Sequence, residues 1–185
     1  LVLRQLKYCL QSRVVKTMEV GYVTLSDKKD NFYIRINLDV LLRLNAFRQI
    51  EYYIPESGGV LIGEVYGNNG FWIKDVTIPN KKDISSRCKF IRQDPSHQKI
   101  VENWHTKSKG TMQYLGEWHS HPEKKPSPSV IDLCSWKKLS LKMGRQMGIQ
   151  PFLFLILSMV DFQRDWIAVY EGRNNYTVLD ASAIT

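Results

Sequence analysis

The chain has 185 residues, 43% of them hydrophobic, and carries 26 Lys and Arg against 18 Asp and Glu, a formal net charge of +8. That length supports one domain with a real core, and no apolar stretch reaches the ~18–20 residues of a membrane span. The three cysteines, Cys9, Cys88 and Cys134, show no CxxC spacing. They argue against a disulfide framework or a cysteine-ligated metal and are expected as buried or half-buried thiols. The basic residues fall in scattered pairs such as Lys81-Lys82 and Lys124-Lys125 without a nucleic-acid motif, so a solvated surface is expected and nucleic acid is not. The opening LVLRQLKYCLQSR lacks a signal-peptide cleavage pattern, which points to the cytoplasm.

In chain order, Met18–Thr24 and Asn31–Ile36 read as two strands around a polar turn. They form a lead-in over residues 1–36, packed on the domain that fills 37–185. Asn37 or Asp39 is placed to cap a helix reaching about Ile54, with Val40, Leu41, Leu44, Phe47 and Ile50 at helical spacing. Val60–Tyr66 and Phe71–Ile78 are strands joined by a Gly-Asn-Asn-Gly turn. Pro79 to Pro95 reads as a loop with an extended piece at Cys88–Arg92, and Ser96–Lys107 as a helix. Tyr114–His121 is a strand and Ser129–Met143 a helix after a proline-rich loop. Phe152–Val160 and Trp166–Glu171 are closing strands. Strands interleaved with helices in one chain imply an α/β or α+β sandwich.

The chemistry concentrates in Gly116-Glu117-Trp118-His119-Ser120-His121-Pro122 and the helix start that follows. Alternate side chains on a strand share a face, so His119 and His121 project together as half of a zinc site. Asp132 fits as a third ligand: Ser129 is placed to N-cap the helix, which puts Asp132 in its first turn, where the helix dipole favours a carboxylate. Two histidines and an aspartate leave a fourth tetrahedral position open, the mark of a catalytic site. Glu64, a charge within the apolar run Val60–Val65, is the candidate general base. The Ser129 hydroxyl is a candidate donor to a developing oxyanion. Singly, each residue has a plainer reading: a surface histidine pair, a helix-start acid, a strand-edge charge, a cap.

Taken together, a Gly-Gly-apolar-apolar-apolar-Gly-Glu strand, His-Ser-His-Pro, six residues, Ser, two residues and Asp resemble the JAMM (MPN-plus, JAB) metalloprotease family. The resemblance runs from about Asn37 to Glu171. It implies a cytidine-deaminase-like fold, a central curved mixed sheet flanked by helices. It also implies one catalytic zinc ion on His119, His121 and Asp132, Glu64 as acid and base, and Ser129 at the oxyanion. The stretch Arg92-Gln93-Asp94-Pro95-Ser96-His97-Gln98 with Gly116-Glu117-Trp118-His119 looks most like the stand-alone bacterial isopeptidases of CBASS antiphage operons. Those release a cyclic-nucleotide synthase (CD-NTase) from targets joined to its C-terminus, in antiviral defence. The implied partner is the C-terminal tail of a conjugated ubiquitin-like or CD-NTase-type protein. That tail is expected to lie along an insertion strand at Ser85–Arg92 by β-augmentation. His97 and His105 are read as non-ligands. The alternative function is a JAMM hydrolase trimming small sulfur-carrier proteins or C-terminal adducts.

Overall fold

The segment Phe152–Leu157 is six apolar residues in a row, every one buried. Because an extended chain points alternate side chains to opposite faces, such a strand must be covered on both. The computed structural model describes residues 21–27, 29, 31–147, 151–172 and 175–179. It places Leu153, Leu155 and Leu157 in one apolar cluster and Phe152, Phe154 and Ile156 in another.

The strands are β1 (Tyr22–Ser26), β2 (Tyr33–Asn37), β3 (Gly58–Tyr66), β4 (Gly70–Val76), β5 (Ile84–Ser86), β6 (Lys89–Ile91), β7 (Gln113–Ser120), β8 (Phe152–Leu157), β9 (Trp166–Gly172) and β10 (Asn175–Leu179). Eight form one mixed sheet in the order β1-β2-β4-β3-β7-β8-β9-β10; β5 and β6 make a separate hairpin. β2–β4 and β7–β8 run parallel and the other sheet pairs antiparallel. One cluster gathers Val23 of β1, Leu61 of β3, Leu155 of β8 and Leu179 of β10, strands from one edge of the sheet to the other. The sheet must curve to bring them together.

Three helices cover the two faces. α1 (Leu38–Asn45) places Val40 and Leu44 in that cluster. On the other face, α2 (Ser96–Lys107) packs Ile100 and Val101 against Val60, Ile62 and Met112. α3 (Val130–Met147) packs Trp136 onto Phe154, with ring centroids 4.1 Å apart. The curved mixed sheet flanked by helices is the expected fold class.

Several expectations need correction. α1 stops at Asn45, not near Ile54, because Arg48 and Gln49 turn into buried hydrogen bonds that a continuing helix could not reach. Ile50 is accordingly exposed. Asn37 stands at the N-cap position without capping; its Oδ1 accepts from Trp72 Nε1 at 2.8 Å. β10 was not expected, since an edge strand with mostly exposed residues carries little apolar signal. Cys88 and Cys134 are exposed, not buried, and Cys9 lies outside the described residues. Much of the 1–36 lead-in also lies outside them, but β1 and β2 add directly to the sheet. Among the described residues no helix is long and apolar enough to cross a membrane.

Candidate active site

The site grows from the pairing of β3 with β7. Gly58 stands opposite His119. One step outward, Ser120 N–H donates to the Ser57 carbonyl at 2.8 Å, and Ser57 N–H to Ser120 Oγ at 3.0 Å. The next step sets Glu56 across from His121. Opposed residues of an antiparallel pair share a face, so Glu56, His119 and His121 converge on the α3 side while Trp118 and Ser120 are buried on the other. Close approach there needs glycine: a Cβ on Gly58 would stand 2.5 Å from the Phe90 ring, and one on Gly59 2.2 Å from the Thr77 carbonyl oxygen.

His119 Nε2 and His121 Nε2 are 3.0 Å apart. Asp132 Oδ1 is 3.4 Å from the first and Asp132 Oδ2 3.5 Å from the second. Glu56 Oε1 approaches from the strand side at 3.9 Å and 3.5 Å. Glu56, His119 and His121 thus offer ligand atoms within 4.8 Å of one another. Two imidazole nitrogens that close can share only one hydrogen, and both carboxylates face the same point. Imidazole plus carboxylate around one centre is a donor set for a divalent cation.

Ser129 and Asp132 form a capping box, the carboxylate in the role usually taken by Glu. Asp132 N–H donates to Ser129 Oγ at 3.2 Å, and Ser129 N–H to Asp132 Oδ2 at 2.7 Å. The Ser129 hydroxyl donates to the same Oδ2 at 2.6 Å. Burial alone would raise the Asp132 carboxyl, but contacts from His119, His121 and Ser129 hold it well below the usual carboxylate range. Burial also works against a charge on His121, yet Asp132 and Glu56 outweigh it and raise that ring. Glu56 goes the other way. Burial pushes it up to about 7, with His121 pulling it down and Asp132 adding to the rise.

The structure brings His119, His121, Asp132 and Ser129 together and leaves Glu64 out. From Gly58 to Glu64 is six residues along β3, roughly 20 Å at ~3.3 Å each. There Glu64 Oε2 pairs with Lys74 Nζ at 2.6 Å, and its other oxygen accepts from Thr111 Oγ1 at 3.2 Å. That partner answers the cost of a charge in an apolar strand. Glu56 is the carboxylate that the sequence reading missed. Its signal was position, at the N-terminal end of a strand antiparallel to the His-Ser-His strand.

These residues line a groove of about 510 Å³ between the β5–β6 hairpin, through Cys88, Lys89 and Phe90, and the start of α3, through Ile131 and Ser135. Glu117, on the same face as His119, holds Arg92 at 2.6 Å and so ties the segment after the hairpin to β7. The stretch Ser85–Arg92, expected as a single insertion strand, instead takes in most of this hairpin, two short antiparallel strands with a turn at Arg87-Cys88. His97 and His105 stand outside the cluster. His97 is buried, with Nδ1 2.6 Å from Thr77 Oγ1 and Nε2 2.8 Å from Asp83 Oδ2, and His105 is exposed.

A family model described as prokaryotic homologs of the JAB domain matches residues 40–168. The chain belongs to this JAB family. Two curated relatives agree, each named CD-NTase/cGAS isopeptidase. The one from Vibrio cholerae is 37% identical over 137 residues, covering 71% of this chain and 83% of the relative. The one from Escherichia coli is 37% identical over 153 residues, covering 81% and 89%. The solution structure of a Desulfitobacterium hafniense protein superposes on this JAB domain with a TM-score of 0.51 at 21% identity. It covers 77% of this chain and 87% of that one, and speaks for the fold alone.

Proposed function

We propose that this JAB domain is a zinc-dependent isopeptidase that frees a CD-NTase-type protein from targets joined to its C-terminus. The observation that carries the reading is the convergence of Glu56 with His119, His121 and Asp132 at the end of a groove walled by a β-hairpin. The names of the curated relatives support the substrate class. His119, His121 and Asp132 would hold one zinc ion. When bound, such an ion acidifies a water and polarises a carbonyl. Glu56 takes the proton of the attacking water and passes it to the leaving amine. A C–O bond forms, the C–N bond breaks, and a free C-terminal carboxylate and the target's amine result. Ser129 holds Asp132 by the capping box, and its hydroxyl proton turns toward the developing oxyanion.

The tail of the conjugated protein lies extended along β6, where backbone hydrogen bonds supply affinity and the groove selects side chains. On this reading the protein acts in the bacterial cytoplasm, in antiviral defence. The test is to incubate the zinc-loaded protein with a CD-NTase C-terminally fused to a reporter and to weigh the products by mass spectrometry. Release of the reporter at the CD-NTase C-terminus is the expected result. No cleavage there, with trimming of a small sulfur-carrier protein instead, overturns it in favour of the other hydrolase.

A further inference from the structure

Gln49 is buried, 1% exposed, in irregular chain four residues beyond α1. Its amide Nε2 donates to two carbonyls, Ile54 at 3.0 Å and Arg87 at 2.9 Å. Its Oε1 accepts from Ser120 Oγ at 3.2 Å. Two carbonyls can face only the amide nitrogen, so the orientation of the side chain is settled by its neighbours. Each of the three partners belongs to a different part of the site. Ile54 O is on the segment that carries Glu56. Arg87 O is at the turn of the β5–β6 hairpin. Ser120 is the residue between the two histidines, turned to the opposite face of β7.

The hairpin also touches the Glu56 backbone directly. Glu56 N–H donates to the Ser86 carbonyl at 2.8 Å, and the Ser85 hydroxyl donates to the Glu56 carbonyl. Phe90 of β6 packs over Gly58, two residues on. Glu56 is therefore held by hydrogen bonds from the hairpin on its own backbone, and its segment by Gln49 at the Ile54 carbonyl, and none of these contacts reaches its carboxylate. Next to Gln49, Arg48 is fixed independently, its guanidinium meeting Asp165 at 2.6 and 2.9 Å and the Ser158 carbonyl at 2.8 Å.

We infer that Gln49 is a positioning residue that locks the β5–β6 hairpin and the Glu56 segment into one unit on the histidine strand, so that the groove wall and the Glu56 carboxylate are ordered together. Buried amides lose their geometry when a partner is removed, because the orphaned carbonyls must find water. The activity arm of this inference rests on the proposed function; its exchange arm does not.

The experiment is hydrogen–deuterium exchange on the full chain, wild type against Gln49→Leu and Ser85→Ala, with zinc binding and steady-state cleavage measured on the same samples. Gln49→Leu keeps the bulk and loses all three bonds, while Arg48 still pins the segment. Ser85→Ala removes only the hydroxyl bond to the Glu56 carbonyl, leaves Glu56 N–H on the Ser86 carbonyl and touches no core, which keeps the test intact if Gln49→Leu fails to fold. Exchange in residues 54–57 and 84–91 should rise together, by about tenfold in Gln49→Leu and less in Ser85→Ala, with residues 152–157 unchanged. Zinc affinity should hold while kcat falls by about 10–100-fold, the range for residues that orient a site from behind, and KM changes less. Ser85→Thr, which restores the hydroxyl, should recover the wild-type pattern. Faster exchange in one segment without the other, or wild-type exchange in both variants, overturns the coupling. A wild type that binds zinc but cleaves no conjugate sinks the proposed function instead, and the exchange result still decides the coupling.

Discussion

Two glutamates mark the course of β3, Glu56 two residues before it and Glu64 near its C-terminal end, and their surroundings are unrelated. At the C-terminal end, Glu64 is partly exposed and meets Lys74 at 2.6 Å, an ordinary strand-edge ion pair. Just before its N-terminal end, Glu56 is buried, forms no ion pair with a lysine or arginine among the described residues, and faces two imidazoles and a second carboxylate. A carboxylate in an apolar strand is satisfied by any cation within reach. A carboxylate with chemistry to do is buried where only a substrate, a metal or a proton completes it. The lesson is that burial with incomplete pairing, rather than charge in an apolar run, separates the two.

Removing the proposed zinc ligands that Glu56 faces should have the largest effect. His119→Ala or Asp132→Asn should abolish zinc binding, read by elemental analysis after dialysis, and cleavage with it. Next comes Glu56→Gln, which should keep zinc and lower kcat by about 10²–10⁴-fold, the usual contribution of a general acid–base. Unimpaired turnover in that variant would return the role to another group and break the comparison.

A second buried carboxylate–imidazole pair sharpens it. Asp83 and His97 meet at 2.8 Å behind the groove, but that pair is closed: Asp83 also accepts from the backbone N–H groups of Asn80, Gln93 and Asp94. Burial would raise Asp83, yet these donors outweigh it and hold the carboxyl near 2. A depressed carboxylate stabilises the fold above its unfolded value of about 4 and loses that contribution as pH falls toward 2, because the unfolded chain takes up the proton first. Urea midpoints should show on the order of 1–2 kcal/mol of acid-sensitive stability between pH 5 and pH 2 that Asp83→Asn removes. An unchanged pH profile in that variant would mean the loop is held by other contacts. The smallest effect belongs to Glu64→Gln, which should leave zinc and kcat at wild-type values and cost at most about 1 kcal/mol, as exposed ion pairs do. A large loss of turnover there would reverse the assignment of the two ends.

Much of this was legible one segment at a time. The i, i+2 histidines need only the alternation of a strand to share a face. Ser129 and Asp132 need only the first turn of a helix to reach each other, and the capping box is that local event. The unbroken apolar run Phe152–Leu157 announced a strand covered on both faces. The hairpin wall was legible only as an extended piece near Cys88–Arg92, and Gln49 not at all, because a glutamine four residues past a helix carries no pattern.

The amino-acid sequence by itself therefore determined the metal-ligand candidates and the cap that steadies one of them, since those contacts close within a strand or a helical turn. The tertiary structure alone decided which glutamate stands beside them. That choice depends on β3 running antiparallel to β7, with Gly58 opposite His119. The C-terminal end of one strand then meets the N-terminal end of the other. Pairing between strands some 60 residues apart in the chain is set by the packing of the whole sheet, which no local pattern encodes.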